Sequence, residues 1–242
     1  MFSCSKTFLK SSSKGKYIFH SDTLQFSGCL WVIRDSHKRK QGPGTNLWQS
    51  NNAYVDKQGF LHLKITKKGN NWYCAEVTST KKFGYGSYQW YVESKFNTLD
   101  KNVILGLFNY SGIDGRDEMD IELGRWGKEK FDNTSYTIYP AQDAKDTSNW
   151  NKTFNTMLTD GENLTTQRFT WKSNYAVFLQ ELRGFHDDNS NQIDSITCYN
   201  PPHSISNLPM QVHMNLWLFE SPSPSNNIPA EIIIHNFKFT AQ

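Results

Sequence analysis

From Trp31 to Phe239 the chain changes between apolar and polar residues at almost every step, in short runs separated by clusters of Gly, Asn, Asp, Ser and Pro. A period of two is the period of a half-buried strand. The pattern predicts strands over Trp31–Arg34, Tyr54–Val55, Phe60–Thr66, Tyr73–Ser79, Gly86–Phe96, Val103–Tyr110, Glu118–Leu123, Ser135–Tyr139, Gln167–Trp171, Ala176–Leu182, Met210–Phe219 and Glu231–Phe239. Helical spacing is scarce. In Thr147–Leu164, Trp150, Phe154 and Leu158 fall at helical intervals among Asn and Thr, which predicts a loop or a short helix there. Many short strands joined by turns imply an all-β fold, a jelly-roll β-sandwich of two antiparallel sheets. The 242 residues fit one such sandwich as a single domain, 1–242, with residues 1–16 as a peripheral or poorly ordered start. Ser221–Pro229 reads as a loop before the last strand, and no internal repeat is visible.

Alternation also separates the faces of single strands. Gln211, His213, Asn215 and Trp217 share one side of their strand, and Val212, Met214 and Leu216 share the other, a binding face over a core face. Phe108 and Tyr110 lie on one side with Gly106. The most pointed case is Glu118-Met119-Asp120-Ile121-Glu122, where three acids at i, i+2 and i+4 put every carboxyl group on one face. An arbitrary acidic row of this kind is usually just solvated. Here glycines flank it (Gly112, Gly115, Gly124, Gly127) and aromatics crowd it (Phe108, Tyr110, Trp126), which favours a site. Two glutamates about 13 Å apart at Cα can lean together, and a glycosidase that retains configuration needs two carboxyls about 5 to 5.5 Å apart.

Composition narrows the partners. Aromatics at 14% and hydrophobic residues at 37% suffice for a core and for stacking on sugar rings, and Trp31, Trp72, Trp90 and Trp171 are expected in that core. No stretch approaches a membrane-spanning helix. The net charge of +3 is mild, and His37-Lys38-Arg39-Lys40 is too short a basic run to imply a nucleic-acid partner. The seven histidines show no tight ligand spacing, so no metal site is expected.

Asp117-Glu118-Met119-Asp120-Ile121-Glu122 resembles the Glu-x-Asp-x-Glu signature of glycoside hydrolase family 16. Tyr73 to Thr80 with Phe83 to Tyr88, and Met214 to Trp217, resemble further blocks of its lichenase branch, in the same order. The resemblance covers most of residues 46 to 240 and implies a concanavalin A-like sandwich with a concave cleft for a β-linked polysaccharide. It also implies a retaining endo-β-glucanase, with Glu118 as nucleophile, Asp120 as its electrostatic helper and Glu122 as general acid/base. Glu76, Phe108, Tyr110, Tyr139, Asn215 and Trp217 match positions lining the glucan subsites. Arg116 stands where lichenases have a tryptophan and Thr78 where they have an arginine; Arg116, Trp126 and His213 complete the expected sugar contacts. The regular spacing, without an extra residue before Glu122, is that of lichenases and xyloglucan-active transglycosylases rather than of many laminarinases. Mixed-linkage β-1,3-1,4-glucan is thus the first substrate expected and β-1,3-glucan the second, with other β-glucans and galactans open.

The resemblance carries two further features that the residues here do not support. Related sandwiches hold a structural calcium through an aspartate of the last strand, and His235 stands at the matching place, so no cofactor is expected. The lichenase cysteine matching Cys74 pairs with one near Asn46, and that partner is missing. A monomer is expected. The substrate class implies an extracellular location, although Met1–Lys10 lacks the apolar run of a signal peptide. A transglycosylase, a carbohydrate-binding lectin and a structural or interaction protein are the competing readings; retention of three acids favours an enzyme over a lectin.

Overall fold

The structure is a computed structural model and describes residues 22–242 apart from 160 and 175. The peripheral start expected for residues 1–16 lies outside the described residues. Sixteen strands are present among them: β1 (Thr23–Phe26), β2 (Cys29–Ile33), β3 (Ala53–Val55), β4 (Leu61–Lys68), β5 (Asn71–Tyr73), β6 (Ala75–Phe83), β7 (Gly86–Glu93), β8 (Val103–Tyr110), β9 (Glu118–Leu123), β10 (Thr134–Tyr139), β11 (Trp150–Phe154), β12 (Leu164–Lys172), β13 (Ala176–Arg183), β14 (Gln192–Tyr199), β15 (Met210–Leu218) and β16 (Ala230–Ala241). They form two antiparallel sheets. The front sheet runs β1-β2-β6-β15-β8-β9-β10-β11 and the back sheet β14-β13-β12-β7-β16-β4-β3, with β5 paired to β4.

Alternate residues of both sheets meet between them. Val77, Leu105, Leu107, Met119, Ile121, Val212, Met214 and Leu216 come from the front, and Leu63, Ile65, Trp90, Val92, Phe169, Leu179 and Ile234 from the back; all are fully buried. At about 25 cal/mol per Å² of apolar surface, each such side chain contributes roughly 1.5–3 kcal/mol. Tyr88 and Phe169 stack at 4.5 Å between ring centroids, and Phe237 reaches across the layers to meet Trp31 edge-on at 5.6 Å. Trp31, Trp72, Trp90 and Trp171 are core residues, as their strands imply.

Thr147–Leu164 holds no helix but the edge strand β11. Trp150 and Phe154 are four residues apart, an interval that puts two side chains on one face of either a helix or a strand. The strand wins because β10 offers a partner, with Ile138 opposite Trp150 and Thr134 opposite Phe154. β1, β5 and β14 are also absent from the sequence pattern. The first and last are sheet edges and β5 has three residues, so little burial marks their alternation.

The last strand bulges between Ile234 and Asn236. At that bulge His235 Nε2 lies 2.7 Å from Glu93 Oε2, with its ring against those of Phe60 and Phe185. A calcium ion takes oxygen ligands, and these two rings offer none. No disulfide joins Cys29, Cys74 and Cys198. Instead the Cys74 thiol donates to Asn46 Oδ1 at 3.3 Å, and Asn46 Nδ2 donates to the carbonyls of Pro43 and Leu218.

Glu181 is fully buried away from the carboxylate row. Glu181 on β13 accepts from Thr156 Oγ1 and Gln167 Nε2, and burial pushes it up to about 7 against those two hydrogen bonds. A raised folded-state value means stability that is fully present below about 4.5 and is lost as pH rises through about 7. Glu181→Gln removes that dependence. Its unfolding free energy is expected to gain on the unsubstituted protein by on the order of 3 kcal/mol between pH 4.5 and 8, read from urea denaturation curves at each pH.

Candidate active site

The acidic row of β9 sits in the middle of the front sheet, and register decides its neighbours. Phe108 of β8 and Thr137 of β10 flank Asp120; Tyr110 and Tyr139 flank Glu118; Gly106 and Ser135 flank Glu122. One strand further, β15 places His213 beside Phe108 and Asn215 beside Gly106, and β6 adds Thr78 and Glu76 opposite them. Because side chains alternate, all of these face the solvent side, while Met119, Ile121 and Leu123 anchor β9 in the core. The result is a groove of about 750 Å³.

Of the residues expected at the site, Glu118, Asp120, Glu122, Glu76, Phe108, Tyr110, Trp126, Tyr139, His213, Asn215 and Trp217 all line the groove. Arg116 is not among the lining residues. Its guanidinium donates to the carbonyls of Ala141, Ala144 and Asp146 at 3.3–3.5 Å and so ties down the loop after β10. A planar cation with five donors is well suited to collect several carbonyls.

Local backbone choices open the site. Gly106 carries no side chain because a Cβ there would stand 2.5 Å from Asn215 Oδ1. Asp117 adopts φ 47° immediately before the acidic row, and is held there by its amide to the Pro140 carbonyl and by Gln142 N donating to its Oδ2. Trp126 also has positive φ, 51°, in the turn after β9. That turn brings its ring edge-on to Trp217 at 6.0 Å and its Nε1 to Ser135 Oγ.

Three neighbouring carboxyls partly withdrawn from water cannot all ionise freely. Burial pushes Glu118 up to about 7, with the charge of Asp114 adding to the shift and a hydrogen bond with Asp120 opposing it. Burial, then the charge of Glu118, pushes Glu122 up to about 8. Asp120 is raised well above the carboxylate range by burial, by Glu118 and Glu122, and by holding the hydrogen of its bond to Glu118. The hydrogen bond between them favours the proton on Asp120 and the charge on Glu118, and all three carboxyls keep protons to higher pH than an exposed carboxylate does. Two oxygen acceptors in the groove, Asp120 Oδ1 and Asn215 Oδ1, are buried without a partner.

Glu76 behaves oppositely. Burial alone would raise it, but the hydrogen bond from His213 and the charge of Arg34 outweigh burial and hold it low. His213 Nδ1 lies 3.1 Å from Glu76 Oε1 and 3.0 Å from Thr78 Oγ1, and its ring stacks on Phe108 at 4.9 Å. A carboxylate only accepts, so Nδ1 carries the hydrogen.

Sequence reasoning missed three elements of the groove: Arg34, the Gly42-Pro43-Gly44 turn and Asp114. Arg34 ends a predicted strand and is far from every motif. Asp114 stands in the glycine-flanked loop before β9 and accepts from the Tyr110 hydroxyl at 2.6 Å. A fourth acid four residues before the row was the available signal.

No family model matches the sequence. The chain is similar to a β-glucanase of Paenibacillus polymyxa, 23% identical over 214 residues, which are 87% of this chain and 80% of that protein. It is 24% identical to a β-glucanase of Paenibacillus macerans over 220 residues, 89% of this chain and 82% of that protein. Among solved structures it resembles the Bacillus licheniformis β-glucanase, with a TM-score of 0.65 at 19% identity over 90% of this chain and 95% of that one. It also resembles an immunostimulatory antigen and pseudo β-1,3-glucanase of Mycobacterium tuberculosis, with a TM-score of 0.63 at 16% identity over 88% and 91% of the two chains. The fold is that of the lichenase jelly-roll sandwich.

Removing the Asp114 charge makes Glu118 easier to ionise. Asp114→Asn is expected to lower the Glu118 titration midpoint by at least about half a pH unit, measured by carboxyl ¹³C NMR with Glu118→Gln to assign the signal.

Proposed function

We propose that this chain is a retaining endo-β-glucanase of the lichenase branch of glycoside hydrolase family 16. The observation that carries the reading is the β9 row itself: three carboxyls side by side on the floor of an open groove, all raised by burial and by neighbouring charge. Glu118 attacks the anomeric carbon while Glu122 protonates the departing glycosidic oxygen, giving a covalent glycosyl-enzyme. Glu122, now ionised, then takes a proton from water, which displaces Glu118. Asp120, hydrogen-bonded to Glu118, steadies the nucleophile's orientation and charge during both steps.

Sugar recognition falls to the neighbours. Phe108, Tyr110, Tyr139, Trp126 and Trp217 offer ring faces and edges, and Glu76, His213 and Asn215 offer polar atoms to hydroxyl groups. Mixed-linkage β-1,3-1,4-glucan is the first substrate proposed and β-1,3-glucan the second, acted on by a monomer outside the cell. The similar β-glucanases support the glucan class. The pseudo β-1,3-glucanase on the same fold is a reminder that the sandwich alone does not carry catalysis; the carboxyls do.

Incubation with mixed-linkage glucan, laminarin and xyloglucan, followed by ¹H NMR of the first products, tests the reaction. The β-anomer should form first. Glu118→Gln and Glu122→Gln should each lower turnover of the polymer by at least about 10²-fold with the melting temperature retained. Initial α-anomer, or full activity in Glu118→Gln, would remove the retaining mechanism.

A further inference from the structure

We propose that the outer face of the back sheet carries a binding site for an oxyanion of the sulfate type, either free or borne as an ester on a sugar. This is the sheet without the groove, and the site is independent of the glycosidase reading. A pocket of about 560 Å³ is lined there by three cations, Arg168, Lys172 and Lys238, and one acid, Asp187. Arg168 is only 6% exposed. Its Nε donates to Gln89 Oε1 at 2.6 Å, Nη1 to Gln180 Oε1 and Asn189 Oδ1, and Nη2 to the carbonyls of His186 and Asp188. All of its N–H groups thus go to neutral oxygens, and no ion pair reaches this guanidinium among the described residues. A buried charge is ordinarily paired. Burial holds the group below its usual pKa, the direction expected of a cation short of counter-charge.

Register shows where the anion sits. Lys238, Gln89, Arg168 and Gln180 pair across β16, β7, β12 and β13 in one row, and Thr240, Ser87, Thr170 and Phe178 form the next row on the same face. Lys172 follows Thr170 by two residues, one row further on. An anion over Ser87 and Thr170 is therefore bracketed by Arg168 and Lys238 on one side and by Lys172 on the other. Direct donors are at hand: Lys172 and Thr240 have no side-chain partner among the described residues, and Ser87 Oγ accepts from Thr170, which leaves its own hydrogen free. Arg168, whose donors are spent, acts through its charge. The acids are turned elsewhere. Asp187 accepts from Lys238, Tyr91 and Gln89 and so balances Lys238, while Asp188 accepts from Ser190, which leaves Arg168 and Lys172 in excess in the pocket. The volume far exceeds that of an inorganic ion, and Phe178 adds a half-buried ring, which favours an anion borne on a sugar.

Calorimetric titration and melting curves at fixed ionic strength, with sodium sulfate, glucose 6-sulfate and glucose as probes, test the site. Sulfate and glucose 6-sulfate should each bind and raise the melting temperature, and glucose should not. Lys172 is exposed at the end of β12, so Lys172→Gln leaves the fold and glucan turnover intact; it should weaken binding of both anions at least about fivefold. Asp187→Asn keeps an acceptor for Tyr91 but removes the one acid of the lining, and should strengthen binding about threefold. Tighter binding of glucose 6-sulfate than of sulfate supports the ester as the ligand, and the reverse order supports the free ion. No binding of either anion at about 50 mM, or affinities that both substitutions leave unchanged, overturns the site while leaving the glycosidase reading in place.

Discussion

Everything in this molecule is arranged around three carboxyl groups that repel one another on alternate residues of a central strand. A strand in the middle of a sheet has no freedom to turn its side chains aside, so the face bearing Glu118, Asp120 and Glu122 has to be matched by the strands on either side. Their residues respond in kind: glycine opposite Glu122, aromatic rings opposite Glu118 and Asp120, hydroxyls from β10. The opposite face of β9 is apolar and fully packed. Repulsion is relieved by protons rather than by cations, so all three carboxyls are raised above the ordinary carboxylate range.

A second cluster in the same groove solves its charge problem the other way. Glu76 is nearly as buried as Asp120 yet stays low, because Arg34 and His213 surround it. Two carboxylates a few strands apart thus sit in opposite protonation regimes, one set by like charges and the other by an opposite charge. The floor of the groove thus holds raised carboxyls on the β9 side and a charge-compensated carboxylate on the β6 side.

Much of this was legible in the chain. The period of two gave the central strands, and the acidic row announced itself because no core would hold it. Where burial was one-sided or brief, the pattern faded: β1, β11 and β14 are edges, and β11 was further disguised by a four-residue interval shared by helices and strands. Side-chain destinations off the strands were the other blind spot. Arg116 is adjacent to the motif and turns to loop carbonyls, whereas Arg34 is more than eighty positions upstream and reaches the groove through the β2–β6 pairing. Proximity in sequence misleads for long cations, whose reach exceeds the strand spacing.

The clip formed by Asn46 and Cys74 also has a bearing on where the protein keeps its shape. A disulfide at this spot would make the groove wall depend on an oxidising environment. Here the thiol is buried, pushed up to about 12 by burial and therefore unreactive, and the wall is tied through an amide to two backbone carbonyls. A reducing solution takes nothing from that arrangement, so the wall of the groove is held by hydrogen bonds that persist in either redox state.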